Sequence, residues 1–162
     1  NMYPDLGASF GSPKTLAWDF WVMAAAFSAA GPAGLRLVID HYRASVGKDY
    51  WWNGSSWVEW DWPAGIESAP YTALSLTAAE AYQHFTGSCS IESFDYDNDG
   101  LMLRLFRVAG DTIIGEQYLA VDDWALTLDS VPVANGDIEA GLNDGNAITA
   151  VRYEDLAEVV FV

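Results

Sequence analysis

Five of the eight tryptophans of this chain fall within twelve positions, on both sides of one Asn-Gly pair. Asn53-Gly54 is typical of a tight β-hairpin turn, because both residues tolerate the positive φ angles of a type I′ turn. A two-residue loop would pair Trp52 with Ser55 and Tyr50 with Trp57. This segment therefore predicts an aromatic hairpin in the middle of the chain.

The predicted hairpin carries aromatic side chains on both faces, because side chains alternate along a strand. One face is predicted to hold Lys48, Tyr50, Trp52, Ser55, Trp57 and Glu59, and the other Trp51, Val58, Trp60 and Trp62. The domain's own core can cover one face, whereas the other needs a loop, a partner subunit or a ligand. We therefore predict these ligand-binding residues: Tyr50, Trp51, Trp52, Trp57, Trp60 and Trp62.

The composition indicates one folded domain, since 51% of the 162 residues are hydrophobic. Acidic residues number 23 against 7 basic ones, which gives a net charge of −16 and disfavours nucleic acid and anionic membranes as partners. This acidity either provides solubility or adaptation to salt, or it attracts divalent cations. No apolar stretch approaches the roughly 18 residues of a membrane span.

Few residues suggest catalysis. The single cysteine, Cys89, excludes an internal disulfide and is expected to be a buried thiol. Neither His41 nor His84 has a second ligand at metal-binding spacing. Because nucleophile elbows and glycine-rich phosphate loops are also absent from the sequence, we do not expect an enzyme.

Turn residues recur between short apolar runs, and this pattern predicts an all-β antiparallel sandwich with little helix. Residues 78–84 and 23–30 are the only helix candidates. The predicted strands are Thr15–Ala26, Leu35–Arg43, Lys48–Trp52, Ser55–Asp61, Tyr71–Thr77, Ser88–Phe94, Leu101–Val108, Thr112–Ile114 and Glu116–Leu128, with Ala147–Tyr153 and Glu158–Val162 as weaker candidates.

We expect the sandwich domain to span residues 1–133, and residues 134–162 to form a C-terminal extension or its last strands. The tail ends in an apolar Val-Val-Phe-Val run, which would expose an adhesive edge in water. It would either pack on its own domain or add to a neighbouring subunit's sheet.

An acidic loop provides a candidate metal site. Asp95, Asp97 and Asp99 alternate along the chain and precede Gly100, a spacing that can place oxygen ligands around calcium. The alternative is a solvated turn built from turn-forming residues. Asp122-Asp123 is a second acidic pair, of which one member is expected to point inward or bind an ion, because neighbours on a strand face opposite ways.

Three segments together resemble galactose-binding-like jelly-roll domains, which occur in carbohydrate-binding modules and in bacteriophage structural proteins. They are Thr15–Val22, Tyr50–Trp57 and Tyr118–Leu128, of which the last contains the Asp-Asp pair. The resemblance implies a jelly-roll-like sandwich. One departure is that the string Asn135–Leu142, similar to the opening of such domains, follows the final strand here.

These observations favour a non-catalytic structural or adhesion module of a virion or an extracellular surface assembly. Its expected partners are further copies of the chain or other surface subunits, and glycans, but neither nucleic acid nor membrane. The alternative is a carbohydrate-binding module of a larger secreted protein, which would stack sugars on its tryptophans. Calcium is the candidate cofactor.

Overall fold

The computed structural model describes residues 3–24, 34–60, 68–77, 81–109, 112–113, 119–137 and 159–161. Within these ranges the chain forms β-strands and no α-helix, in two sheets packed face to face, which confirms the predicted all-β sandwich. The strands are β1 (Lys14–Ala24), β2 (Gly34–Arg43), β3 (Lys48–Trp52), β4 (Trp57–Glu59), β5 (Thr72–Ser75), β6 (Gln83–Ile91), β7 (Gly100–Ala109), β8 (Thr112–Ile113), β9 (Leu119–Leu128), β10 (Val131–Asp137) and β11 (Val159–Phe161).

The first sheet has the order β10-β9-β1-β6, with β11 also paired to β9. The second sheet has the order β4-β3-β2-β7-β8, with β5 also paired to β2. All pairings are antiparallel except that of β11 with β9. Strand β2 is central because β7 lines one edge, while β3 and β5 share the other.

The core lies between the sheets and follows the period of two in each strand. In β1 the side chains of Leu16, Trp18, Phe20 and Val22 are buried, whereas those of Asp19 and Trp21, which lie between them, face solvent. The second sheet contributes Leu35, Leu37, Ile39, Leu101, Leu103 and Leu105 to the same core.

Strand β6 begins earlier than the sequence pattern indicated. It runs over Gln83–Ile91, so the predicted start at Ser88 and the two-turn helix reaching His84 are wrong. Pairing with β1 explains the difference, since Gln83 lies opposite Val22 and the ladder continues to Ile91. Residues 78–80 and 25–30, the remainder of the two helix candidates, lie outside the described residues.

Strand β10 was not predicted, and it continues past the expected boundary between residues 133 and 134. Asp129 and Ser130 connect it to β9 with φ angles of 50° and 67°. A two-residue hairpin loop with both central residues at positive φ meets the requirement of a type I′ turn. The C-terminal strand β11 pairs with β9 of the same chain, while Ala147–Tyr153 lies outside the described residues.

Candidate functional site

The aromatic hairpin exists, but its loop is longer than predicted. Trp52 pairs with Trp57 and Tyr50 with Glu59, so four residues connect the strands and the predicted type I′ turn is wrong. The side chain of Asn53 explains the wider loop, because its Oδ1 accepts hydrogen bonds from the backbone N–H groups of Ser55 (3.0 Å) and Ser56 (2.9 Å).

The register differs from the prediction by two residues, which leaves each strand side chain on its predicted face. Trp52 and Trp57 both pack against the main core, with ring centroids 5.6 Å apart. The Trp57 indole Nε1–H donates to the carbonyl of Ser90 in β6, over 2.6 Å. This side of the hairpin therefore ties the second sheet to the first. Tyr50 is half-buried, with the Arg43 guanidinium 5.5 Å from its ring centroid.

The opposite side of the hairpin is covered by the chain itself. Trp51 is only 1% exposed and forms a small second core with Val38 and Ala69. Trp60 and Tyr71 pack against this cluster, and the ring centroids of Trp51 and Trp60 lie 6.2 Å apart. Of the three covers considered from the sequence, the loop is the one observed here. Trp62 lies outside the described residues.

The charged groups beside this second core include a perturbed carboxyl. Asp40 lies between Trp51 of β3 and Met102 of β7 in the ladder. Burial, together with the nearby charge of Asp49, raises the pKa of Asp40 to about 7, although Arg104 opposes this shift.

In the acidic loop, Asp95 and Asp99 use their carboxylates to hold the turn. Oδ1 of Asp99 accepts the N–H of Ala44 (2.8 Å), and Oδ2 accepts the N–H of Asp95 (3.0 Å). Asp95 in turn accepts hydrogen bonds from Asp97 N–H (3.2 Å) and the Asn98 side-chain amide (2.9 Å). In the described part of the chain, no group of three His, Cys, Asp or Glu side chains is arranged to hold a metal. The calcium site stays a prediction.

Asp99 also faces His41, a buried residue at the edge of the core. Its Oδ2 lies 3.5 Å from His41 Nε2, a distance too long for a normal hydrogen bond. Burial lowers the pKa of His41, while the Asp99 carboxylate opposes this effect. Trp57 and Phe94 contact the imidazole at centroid distances of 5.8 and 5.7 Å. His41 is therefore a neutral member of the aromatic packing near neutral pH.

Strand β9 contains a β-bulge at the Asp122-Asp123 pair. Opposite it, β1 advances by two residues from Asp19 to Trp21, while β9 moves by three, from Ala125 to Asp122. Asp123 has a φ of 49°, and both aspartates are exposed. Neither of them therefore points inward, because the extra residue breaks the alternation, and the alternative that one binds an ion stays a prediction.

The bulge keeps the residues flanking the acidic pair in the core. Val121 and Trp124 are both buried, although simple alternation would have put them on opposite faces. The Trp124 ring stacks on Phe20 with centroids 4.3 Å apart. Packing of this large ring supplies a physical reason for the bulge.

The outer face of the first sheet carries the most exposed tryptophan among the described residues. Trp21 is 38% exposed and stacks on His84, its partner in β6, at a centroid distance of 4.7 Å and an interplanar angle of 15°. Nε2 of His84 lies 2.5 Å from Oδ1 of Asp19. In the ladder with β9, Trp21 pairs with Asp122.

We call Asp19, Trp21, His84, Asp122 and Asp123 the Trp21 surface. The sequence pattern alone does not identify this surface. One sequence signal for the Trp21 surface exists: Trp21 alternates with core residues and shares its strand face with Asp19. The clustered tryptophans of positions 51–62 pointed instead to the hairpin. Only the strand order reveals His84 and Asp122 on either side of Trp21.

Comparisons with protein-family models, with curated proteins and with solved structures found no match. A search of the described residues for a helix long and apolar enough to span a membrane also found none.

Proposed function

We propose that this chain is a non-catalytic adhesion module of a virion or an extracellular surface assembly. In this proposal its partner binds at the Trp21 surface. The observation that supports it most directly is the exposed Trp21 indole on a strand paired along both edges. Strand β1 lies between β6 and β9, and the Trp21 ring stacks on His84.

A tryptophan presented in this way suits recognition. Large aromatic side chains bury much area at low conformational cost, and they are enriched among the residues that dominate binding energy. The hairpin tryptophans Trp51, Trp52 and Trp57 instead serve the fold, since they pack in the two cores. We therefore place the proposed contact at Trp21, and ligand binding by the hairpin tryptophans stays a prediction.

A carbohydrate-binding module is the second candidate, and the composition of the Trp21 surface favours it. Indole rings stack on the CH faces of sugars, while carboxylates accept hydrogen bonds from sugar hydroxyls. Asp19 and Asp122 lie on the same sheet face as Trp21 and are exposed. The two candidates are compatible, because a surface module can adhere through a glycan.

The non-catalytic part of the proposal draws on the chemistry of the cysteine. Burial raises the pKa of the Cys89 thiol to about 12, which keeps it protonated and a poor nucleophile. A jelly-roll relationship, which would agree with either candidate, remains part of the proposal.

Glycan-array binding and light scattering of the wild type and Trp21→Ala test this proposal. We expect Trp21→Ala to fold normally and to lose glycan binding, assembly or both. Tyr42→Ala is the matched control, because Tyr42 is 39% exposed on the second sheet. If Trp21→Ala leaves array binding and assembly unchanged, or if both variants weaken them equally, the Trp21 surface is not the contact site.

A further inference from the structure

The Trp21 surface has a charge composition that points to a particular ligand. In the described part of the chain, the basic residues of the strands belong to the second sheet, apart from Lys14 at the start of β1. The Lys14 ammonium lies over the ring of Phe10, 5.1 Å from its centroid. Among the residues that the structure describes, the outer face around Trp21 therefore has carboxylates and no Lys or Arg to neutralise them.

These carboxylates flank the indole by register. Asp122 is the partner of Trp21 on the β9 side, and Asp123 follows it in the bulge. On the β6 side, His84 stacks on the ring and contacts Asp19. An exposed indole with neighbouring carboxylates is a favourable environment for a cation, through cation–π attraction and direct charge pairing.

The bulge is a second, independent feature of this surface. A regular strand would have turned Asp123 toward the core, whereas its left-handed conformation leaves the carboxylate exposed. Bulges re-aim side chains and occur often beside functional sites. The bulge therefore leaves two exposed carboxylates, Asp122 and Asp123, at the position in β9 that pairs with Trp21.

The net charge of −16 also favours a cationic ligand, because it attracts cations and repels acidic polysaccharides. We propose that the Trp21 surface binds a glycan containing protonated amino sugars. The CH face of the pyranose ring stacks on Trp21, and the ammonium group pairs with Asp122 and Asp123. This inference rests on the proposed binding function and specifies its ligand class.

Calorimetric titration with three oligosaccharides of equal length tests the inference. The probes are a glucosamine hexamer, its fully N-acetylated form and a cellulose hexamer, in mildly acidic buffer so that the free amines are protonated. Only the first probe is cationic. We expect it to bind at least about tenfold more tightly than the other two, a difference of about 1.4 kcal/mol, and we expect added salt to weaken it selectively.

Two variants distinguish the contribution of ring stacking to the affinity from the contribution of charge. Trp21→Ala should reduce affinity for the glucosamine hexamer by about tenfold or more, since stacking on an aromatic ring is lost. The double variant Asp122→Asn, Asp123→Asn should weaken this hexamer but leave binding of the neutral ones unchanged. Glu59→Gln is the control, because it removes one charge from the second sheet.

Several outcomes would overturn the inference. Equal affinity for all three hexamers would show a glycan module without charge selectivity. Binding of a lysine hexapeptide at least as tight as that of the glucosamine hexamer would assign the surface to a basic peptide. Binding of the glucosamine hexamer that Trp21→Ala does not affect would indicate diffuse charge attraction. If no hexamer binds and Trp21→Ala still abolishes assembly, the inference fails while the proposed function stands.

Discussion

At the scale of single residues, Gly87 shows how closely the core is packed. A Cβ atom at this position would lie 2.4 Å from Cζ2 of Trp18, the residue opposite it in β1. We expect Gly87→Ala to destabilise the fold by about 1–3 kcal/mol, because a buried indole must move. Denaturant unfolding measures this change.

Gly11→Ala is the matched control for Gly87→Ala. A Cβ at Gly11 would meet no atom within 4 Å, and its φ is not positive. The control should therefore change stability by less than about 0.5 kcal/mol. Equal effects of the two variants would contradict the packing of Trp18 on Gly87.

Asp40 makes stability depend on pH. Its pKa rises from 3.8 in the unfolded chain to about 7 in the fold. Between these values the folded state keeps a proton that the unfolded state loses, so this residue makes stability fall as pH rises from about 4 to 7. Above about pH 7 both states are ionised and the contribution is constant.

Asp40→Asn should remove this contribution. We expect the variant to be more stable than the wild type at pH 8, by roughly 1–3 kcal/mol after allowing for partial solvent access, and to show a flatter profile between pH 4 and 7. Thermal unfolding across pH tests this, with Glu92→Gln as an exposed control. A profile for Asp40→Asn parallel to that of the wild type would refute the assignment.

At the scale of elements, the hairpin of β3 and β4 contributes tryptophan side chains to both hydrophobic cores. Trp51→Ala should cost about 3–5 kcal/mol, because it empties a fully buried site. Val58→Ala, at the paired position in β4, should cost less than about 1 kcal/mol, since Val58 is 37% exposed whereas Trp51 is fully buried. Similar losses for the two variants would show that the second core contributes little.

The indole hydrogen bond between the sheets is tested separately. Trp57→Phe keeps an aromatic ring but removes the Nε1–H that donates to the Ser90 carbonyl. We expect a loss of about 1 kcal/mol in unfolding free energy. Trp52→Phe is the control, and it should have a smaller effect if the hydrogen bond is the cause.

The acidic loop between β6 and β7 depends more on the Asp99 carboxylate than on that of Asp97. Asp99 accepts the N–H groups of Ala44 and Asp95, so Asp99→Ala should cost about 1–3 kcal/mol. Asp97 is exposed and should tolerate the same change within about 0.5 kcal/mol.

The predicted calcium site is tested by thermal unfolding of the wild type and of Asp97→Ala. A calcium-dependent rise in Tm that Asp97→Ala abolishes would establish the site. Identical unfolding curves of the wild type in calcium and in chelator would reject it.

At the scale of the whole molecule, the C-terminal strand covers an edge of the first sheet. β11 pairs in parallel with the start of β9, on Leu119–Val121. Removing residues 138–162 would leave this edge of β9 without its partner strand β11, while β1 stays paired on the other side, so we expect a less stable, aggregation-prone protein. Light scattering and thermal unfolding measure both effects. A stable, soluble monomer that no longer assembles would instead support a tail that links subunits.

Turn residues recurring between short apolar runs were sufficient to predict the sandwich and the strands β1, β2, β3 and β7. The alternation of side chains also assigned the hairpin residues to faces correctly, because a register difference of two residues preserves the side on which each lies. These patterns failed where local turn signals conflicted with packing. Asn53-Gly54 forms a longer loop, and the turn with two positive φ angles lies at Asp129 and Ser130.

Tertiary structure alone decided which aromatic residues are exposed. Trp18 and Trp21 belong to the same strand, yet β6 and β9 pair with it so that Trp18 faces the second sheet and Trp21 faces solvent. Trp124 of β9 stacks on Phe20, a residue more than a hundred positions away in the sequence. This packing places Asp123 in a bulge. Sequence pattern specifies the faces of a strand because its period is local. The partner that covers each face depends on strand order, which non-local packing determines.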